Sequence, residues 1–260
     1  AIVLDGASQT VSGTTTFRNL TKTVSSAATL MFAADSTQTI TTALVLQGAS
    51  GQLLSLRSST PGTRWNIDPQ GTRTVSFVDV KDSYNTNTTL ITPTSSVNSL
   101  NNIGWVFSGQ VYGTVYTDEG VTPIAAGKTV ALSINGAAAM TTTTDSLGAF
   151  VFSVTPPVDS VVTLYLSGVT EKAVFVTQAD SSTGGVPDAA IYQDHLVLSH
   201  NNVGPITNAS LDIANDNGDP DIDVIYTMTG SDLTVLSGKE LFVWPLKTFT
   251  PTTGSVTGGD

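Results

Sequence analysis

Cysteine is absent from this chain, and charged residues are scarce. Without cysteine the protein can form no disulfide bond, no thiolate nucleophile and no cysteine-ligated metal site. Charged residues make up 12% of the 260, and 21 acidic side chains outnumber 10 basic ones, which gives a net charge of -11. A chain this acidic repels nucleic acid and anionic lipid, so we exclude nucleic-acid binding as a function.

Long apolar runs and helical periodicity are missing as well. No apolar run approaches the roughly 20 residues that span a bilayer, so we expect no membrane span. β-Branched residues dominate and no segment has a convincing helical period, so the sequence predicts an all-β protein. Abundant Thr, Ser, Asn and Gly with little Lys and Glu favours a secreted, extracellular or cell-surface protein. We interpret the apolar start Ile2–Leu4 as a mature N-terminus from which a signal peptide has been removed.

Residues 1–107 contain short apolar pairs that recur after 21 residues. Each pair lies on one side of a β pleat, and turn-forming residues separate the pairs. Such a repeat predicts the stacked coils of a short β-solenoid, in which each coil buries its apolar row on the next. After Phe77 the apolar parity slips, which indicates a corner. The two pairs and their copies are Leu44/Leu46 with Trp65/Ile67 and Leu54/Leu56 with Val75/Phe77.

The same region resembles a known kind of repeat. The segments Arg57–Ile67, Val75–Ser83 and Asn101–Trp105 are similar to right-handed β-helix repeats of very large bacterial surface proteins. The resemblance covers most of residues 10–107. It implies a β-solenoid and a cell-surface location, and it carries no established activity.

Two further β regions are expected after the solenoid. In residues 108–186, apolar alternation follows the strand spacing of a β-sandwich. The segments Gly113–Tyr116 and Thr144–Phe152 resemble carboxypeptidase-regulatory-like and collagen-adhesin B-type modules, which implies an Ig-like spacer. Residues 187–260 are predicted as a third β segment, with a strand through Ile222 and Val224.

An acidic cluster in the third segment is a candidate calcium site, because Ca²⁺ is bound by hard oxygen ligands. Asn215 and Asn217 lie among the acids, although the spacing is not that of an EF-hand. The alternative is a solvated turn followed by an edge strand whose charges discourage unwanted pairing. No other cofactor is expected. The predicted Ca²⁺ ligands are Asp216, Asp219, Asp221 and Asp223.

Catalytic groupings are weak in the sequence. His195 and His200 lie five residues apart, so on one strand they would face opposite sides and could not easily share a metal; we interpret both as structural. No Gly-x-Ser-x-Gly elbow accompanies them. Asp79 and Asp82 are candidates for the paired carboxylates of a polysaccharide-degrading β-helix enzyme, but their context is also ordinary turn chemistry. We expect no enzymatic activity.

The leading functional hypothesis is a structural one. An uncapped first coil and two apolar elements favour a subunit that joins copies of itself head to tail, by strand addition and solenoid stacking, into an extracellular filament or fibrous surface layer. The alternative is a fragment of a large surface adhesin that binds glycans or a host surface, and a polysaccharide-degrading enzyme is a third possibility. The predicted assembly residues are Ile2, Val3, Leu4, Phe242 and Trp244.

Overall fold

The computed structural model describes residues 1–201, 204–216 and 218–258, and these residues are mostly β. The predicted all-β class is confirmed, with two short helices as the departures from it. The chain separates into two compact units, Ala1–Ser108 and Gly109–Asp260.

Short strands make up the first unit. They are β1 (Ile2–Val3), β2 (Ser8–Val11), β3 (Thr15–Thr23), β4 (Ala28–Phe32), β5 (Thr37–Gln47), β6 (Leu54–Ser58), β7 (Trp65–Pro69), β8 (Thr72–Ser76), β9 (Val78–Val80), β10 (Ser83–Asn85) and β11 (Val97–Asn98). One sheet has the order β1-β3-β5-β7-β10, with β8 also paired to β5, and the other has the order β11-β9-β6-β4-β2. Every pairing between these strands is parallel.

Parallel pairing places like residues beside each other in the core of the first unit. Leu30 on β4 is opposite Leu56 on β6, and Leu56 is opposite Val80 on β9. All three side chains are fully buried. Because successive side chains on a strand alternate between faces, the inward positions of each strand form continuous apolar rows across neighbouring strands. The short apolar pairs of the sequence therefore correspond to core positions, except for Phe77, which is half-buried.

Most of these strands do not pair with a strand 21 residues away along the chain. The expected stacking of each apolar pair on the pair 21 residues later is therefore wrong. Leu44 lies opposite Arg73, which is 29 residues later, rather than opposite Trp65. Leu54 lies opposite Val78, which is 24 residues later, rather than opposite Val75. Turns of different lengths join the strands. The alternation of inward and outward side chains is therefore kept within each strand, whereas the number of residues between paired strands varies. The corner expected after Phe77 is present: Phe77 has φ 51 and connects β8 to β9 in the other sheet.

Aromatic rings fill the core of the first unit. The rings of Phe32 and Trp65 are stacked, with centroids 4.0 Å apart and planes inclined by 14°. Trp105 meets Trp65 edge to face at 6.4 Å. Each indole N–H has an acceptor, the Lys81 carbonyl for Trp65 and the Ser83 hydroxyl for Trp105. Both tryptophans are therefore core residues, as their parity in the sequence indicates.

The second unit contains longer strands and two helices. The strands are β12 (Val111–Tyr116), β13 (Thr129–Ile134), β14 (Met140–Thr143), β15 (Ala149–Phe152), β16 (Val161–Leu166), β17 (Val174–Gln178), β18 (Val186–Tyr192), β19 (His195–Leu198), β20 (Tyr226–Thr229), β21 (Asp232–Val235), β22 (Glu240–Val243) and β23 (Val256–Gly258). The helices are α1 (Asn208–Asn215) and α2 (Pro220–Asp223).

A six-stranded sheet lies at the centre of the second unit, in the order β14-β13-β16-β17-β19-β22. One face packs against the sheet β15-β12-β18, through residues such as Phe150 and Leu164. The other face packs against α1, α2 and the strands β20 and β21, through residues such as Tyr165 and Leu211. All six residues of β16 are buried, because a strand in the middle layer has no solvent face.

The boundary expected at residue 187 runs through a continuous sheet. β19 and β22 extend the six-stranded sheet from β17 by parallel pairing, and β18 pairs with β12. The strand predicted through Ile222 is wrong, because Pro220–Asp223 is a helical turn. Asp219 caps it and proline occupies its first position, which is the usual chemistry of a helix start. The other helix, α1, is capped by Thr207.

Candidate functional site

The N-terminal apolar segment forms an edge strand that is only weakly held. Ile2 and Val3 of β1 pair with Leu20 and Thr21 of β3, and β1 is the terminal strand of its sheet. The Ile2 side chain is 47% exposed and that of Val3 is 65% exposed. Leu4 is half-buried, and its N–H donates to the Thr21 carbonyl at 2.9 Å. The three predicted assembly residues therefore lie together at an accessible sheet edge.

A buried lysine lies beside this edge. Lys22 follows Leu20 on the inward face of β3 and is fully buried. Its Nζ donates to the Gly6 carbonyl at 2.5 Å and to Oε1 of Gln9 at 2.8 Å. Burial lowers the pKa of the Lys22 ammonium, and the negative charge of Asp5 partly opposes this change. The row of inward side chains on β3 therefore ends with a hydrogen-bonded cation rather than with an apolar side chain.

The other predicted assembly residues, Phe242 and Trp244, contact the core of their own unit. Phe242 lies on β22, the edge strand of the six-stranded sheet, and its ring meets Tyr192 edge to face at 5.1 Å. Trp244 packs against the same hydrophobic cluster. Both side chains are partly buried, whereas Leu246, two residues beyond Trp244, is fully exposed at φ 66. The Phe242 and Trp244 side chains are thus largely covered within the unit.

The predicted calcium ligands hold the helical layer to the sheet. Asp219 accepts the Tyr165 hydroxyl at 2.7 Å, in addition to capping α2. Asp221 forms an ion pair with Lys172 and accepts the Gly168 N–H at 2.6 Å. Burial opposes ionisation of Asp221, but these hydrogen bonds outweigh it and lower its pKa.

The remaining members of this acidic cluster are less involved. Asp216 ends α1 and Asp223 is the last residue of α2. Asn217, which the sequence places among the acids, lies outside the described residues. A calcium ion at these positions would have to compete with Lys172 for Asp221, and the calcium site stays a prediction.

The carboxylates considered for polysaccharide cleavage also have partners in the protein. Asp79 pairs with Arg57 and accepts the Ser99 hydroxyl at 2.6 Å. Asp82 is buried and accepts the Asn101 amide at 2.7 Å. These contacts join neighbouring strands and the loops that follow them, which is a structural use for both acids.

Three ionisable side chains from separate elements meet in the second unit. His195 is the first residue of β19, and Glu240, the first residue of β22, lies directly opposite it. Glu119 comes from the turn after β12. The Nε2 of His195 is 3.7 Å from a carboxylate oxygen of Glu119 and 3.7 Å from one of Glu240. One ligand atom from each of the three residues lies within 4.8 Å of the others.

The turn that carries Glu119 is tightly defined. The Asp118 carboxylate accepts the backbone N–H of Val121 at 2.7 Å and that of Thr122 at 2.9 Å. Hydrogen bonds from Thr122 and then from Val121 lower the pKa of Asp118. Gly120 has φ 95, a conformation that residues with a side chain rarely adopt. The turn therefore fixes the backbone position of Glu119. Its side chain is 57% exposed and has room to change its rotamer.

His195 is the fixed member of the cluster. It is 9% exposed, and its ring lies edge to face with Tyr192 at 5.9 Å. Its Nδ1 is 2.6 Å from the Gln193 carbonyl, whereas its buried Nε2 has no hydrogen-bond partner among the described residues. Burial raises the pKa of the Tyr192 phenol, and the neighbouring Tyr116 and Glu119 raise it further.

The sequence gives little sign of this cluster. Its members are far apart along the chain, and only the pairing of β19 with β22 and the turn after β12 bring them together. The two histidines do not meet: His200 lies beyond β19 and accepts the Thr248 N–H through Nε2 at 3.1 Å.

Comparisons with protein-family models, with curated proteins and with solved structures gave no match to this chain. Of the helices in the described residues, neither has the length and apolar character needed to cross a membrane. A functional proposal therefore has to be built on the geometry of the chain itself.

Proposed function

We propose that the chain is a non-enzymatic structural subunit, secreted and assembled head to tail into an extracellular filament or fibrous surface layer. The observation that carries this proposal is the strand β1. It is two residues long, it occupies a sheet edge, and its apolar side chains Ile2 and Val3 are about half exposed or more. An edge strand presents unpaired backbone groups to which another chain can add a strand.

The first unit, in this proposal, is a short β-solenoid of the kind its sequence resembles. Support comes from its two all-parallel sheets, between which successive strands alternate with few exceptions. Each coil of a solenoid contacts only its neighbours, so a stack that ends on an open edge can be continued by an equivalent coil from another subunit. A head-to-tail contact of this type does not close on itself and generates a filament.

The second unit would then serve as an Ig-like spacer. Its antiparallel strands β13, β16 and β17 face the antiparallel pair β12 and β15 across a shared core, which supports a sandwich-like arrangement. The parallel strands β18, β19 and β22 are additions that the collagen-adhesin resemblance does not imply. Because Phe242 and Trp244 pack within this unit, contacts with a neighbouring subunit would use the outer edge of β22 rather than these partly buried rings.

Electron microscopy and analytical ultracentrifugation of the purified chain test this function. We expect filaments or a concentration-dependent series of oligomers from the intact chain, and monomers after removal of residues 1–4. A deletion of residues 251–258, which contain β23, is the control for loss of a terminal strand. Monodisperse monomers under all conditions would contradict the proposal. Glycan binding by such monomers would instead support the adhesin alternative.

A further inference from the structure

We propose that Glu119, His195 and Glu240 bind a divalent transition-metal ion, with Zn²⁺ as the best chemical fit. This site is separate from the predicted calcium ligands and from the edge strand β1. It also does not depend on the assembly function proposed above.

The hydrogen bond at Nδ1 determines which ring nitrogen of His195 can face a metal. A carbonyl oxygen can only accept a hydrogen bond, so the 2.6 Å contact with Gln193 places a proton on Nδ1. In the neutral ring the lone pair is therefore on Nε2, the atom that faces the carboxylates of Glu119 and Glu240. Metal-binding histidines have this arrangement, since their second ring nitrogen almost always donates to a carbonyl, carboxylate or water.

The unmet lone pair is a second argument for a metal. Nε2 is buried without a hydrogen-bond partner among the described residues, and both carboxylate oxygens lie at 3.7 Å, beyond hydrogen-bonding distance. A buried polar atom without a partner is costly. A cation among the three ligands removes that cost and compensates both negative charges.

The spacing fits a metal ion. Ligand atoms about 2.1 Å from a tetrahedral Zn²⁺ lie about 3.4 Å from one another, by the geometry of such sites. His195 Nε2 is 3.7 Å from an oxygen of each glutamate, and all three ligand atoms lie within 4.8 Å of one another, so metal binding requires the glutamate side chains to move closer. Both side chains are free to do so, because that of Glu119 is 57% exposed and that of Glu240 is 73% exposed.

The donor set selects the metal. One imidazole nitrogen with two carboxylates suits Zn²⁺, whereas Ca²⁺ and Mg²⁺ favour sites made of oxygen alone. Two ionised glutamates balance a 2+ charge, and three protein ligands leave a fourth position for water. The acidic chain as a whole, at a net charge of -11, attracts cations.

The position of the site shows which elements a bound metal would join. Glu240 begins the edge strand β22, His195 begins its neighbour β19, and Glu119 belongs to the turn after β12. An ion bound by all three would fasten the start of β22 to that turn. The Lys239–Asp194 ion pair already joins the residues immediately before both strands.

Isothermal titration calorimetry with Zn²⁺ tests the site. The protein is first treated with a chelator and dialysed. We expect one Zn²⁺ per chain, with affinity reduced at least about tenfold in Glu119→Gln, in Glu240→Gln and in His195→Gln, since even outer-shell changes weaken sites by that much. Matched controls are Glu171→Gln and His200→Gln, which we expect to bind zinc as the unaltered chain does. Calcium added before zinc should leave the zinc affinity unchanged, because the predicted calcium ligands are other residues.

A second measurement protects the test against misfolded variants. Glu119 is exposed on a turn, so Glu119→Gln should keep the thermal midpoint of the metal-free chain while losing the rise that zinc produces in the unaltered protein. Zinc should also slow hydrogen exchange in β22 of the unaltered chain only. Absence of saturable zinc binding, or binding unchanged in all three ligand variants, would overturn the proposal.

Discussion

The Nζ of Lys22 lies 2.8 Å from the Oε1 of Gln9, although Lys22 is fully buried on the inward face of β3. In the row of inward side chains, the ammonium takes a place that elsewhere belongs to leucine or another apolar residue. The position is beside the exposed strand β1, where the assembly proposal needs an accessible edge. A lysine here provides polar character at an edge that would otherwise be apolar.

The lowered pKa of Lys22 gives a pH prediction. An unfolded lysine keeps its proton up to about pH 10.5, whereas folded Lys22 releases it earlier. Between those values the unfolded chain binds more protons, so the Lys22 contribution to the free energy of unfolding rises with pH. Lys22→Met lacks this contribution. The unaltered chain should therefore gain stability relative to Lys22→Met as the pH rises from neutral toward about pH 10.

Urea denaturation at several pH values measures this difference. Lys81→Met is the matched control, because it removes one positive charge from a half-exposed position in the same unit. A stability difference between the unaltered chain and Lys22→Met that stays constant with pH would show that burial does not shift the Lys22 ammonium.

The Lys128–Glu171 pair also predicts stability that rises with pH, but in the acidic range rather than the alkaline range. Hydrogen bonds from Lys128, then from the backbone N–H of Glu171 and the Thr170 hydroxyl, lower the pKa of Glu171 to about 2. A depressed carboxyl pKa stabilises the fold above the unfolded value of 4.5, and this stabilisation is lost as pH falls from 4.5 toward 2. NMR titration of the Glu171 carboxyl carbon should give a midpoint near 2, and Lys128→Met should move it upward. A midpoint near 4.5 in the unaltered chain would refute the pairing.

The stacked rings of Phe32 and Trp65 predict a large loss of stability on truncation. Trp65→Ala should lower the free energy of unfolding by about 3–5 kcal/mol, because it removes a fully buried indole and leaves a cavity. Tyr84→Ala is the comparison for a partly exposed ring, at 41% exposure, and should cost much less. Equal effects of the two substitutions, measured by urea denaturation, would contradict the described core.

Asp219 links the helical layer to the central sheet, so its substitution should lower the stability of that unit. Asp219→Ala deprives the Tyr165 hydroxyl of its acceptor and α2 of its cap, at an expected cost of about 1–3 kcal/mol. Asp223→Ala makes the same charge change at an exposed position of α2 and should cost less.

The calcium prediction requires a thermal midpoint that rises with Ca²⁺ in the unaltered chain but not in Asp219→Ala. An unchanged midpoint contradicts that prediction.

How far the sequence predicts this structure depends on the range of each interaction. Alternation at Leu30 and Leu56 identifies core positions correctly, because burial on one face of a strand is a local property. The partner of each strand is not local, so equal spacing suggested that Leu44 stacks on Trp65 when turns of unequal length place Arg73 there. Pairing depends on loop lengths and on the second sheet, which a 21-residue repeat does not contain.

The helices and the Glu119–His195–Glu240 cluster were missed for different reasons. The Asp219–Pro220 start of α2 is a readable local signal, but a prediction based on β-branched composition passed over it. The cluster has no local signal. Its residues belong to three segments that only the sheet topology of the second unit brings together.

The most direct test of the assembly proposal is a comparison of Val3→Asp with Val121→Asp by electron microscopy of otherwise identical preparations. Both valines are exposed, Val3 at 65% on β1 and Val121 at 82% in the turn after β12, so neither substitution removes a core side chain. A charge on an edge strand discourages pairing with another chain. We predict that Val3→Asp abolishes filaments or oligomers while Val121→Asp leaves them intact. Unchanged assembly in Val3→Asp, or no assembly by the unaltered chain, would contradict the proposal.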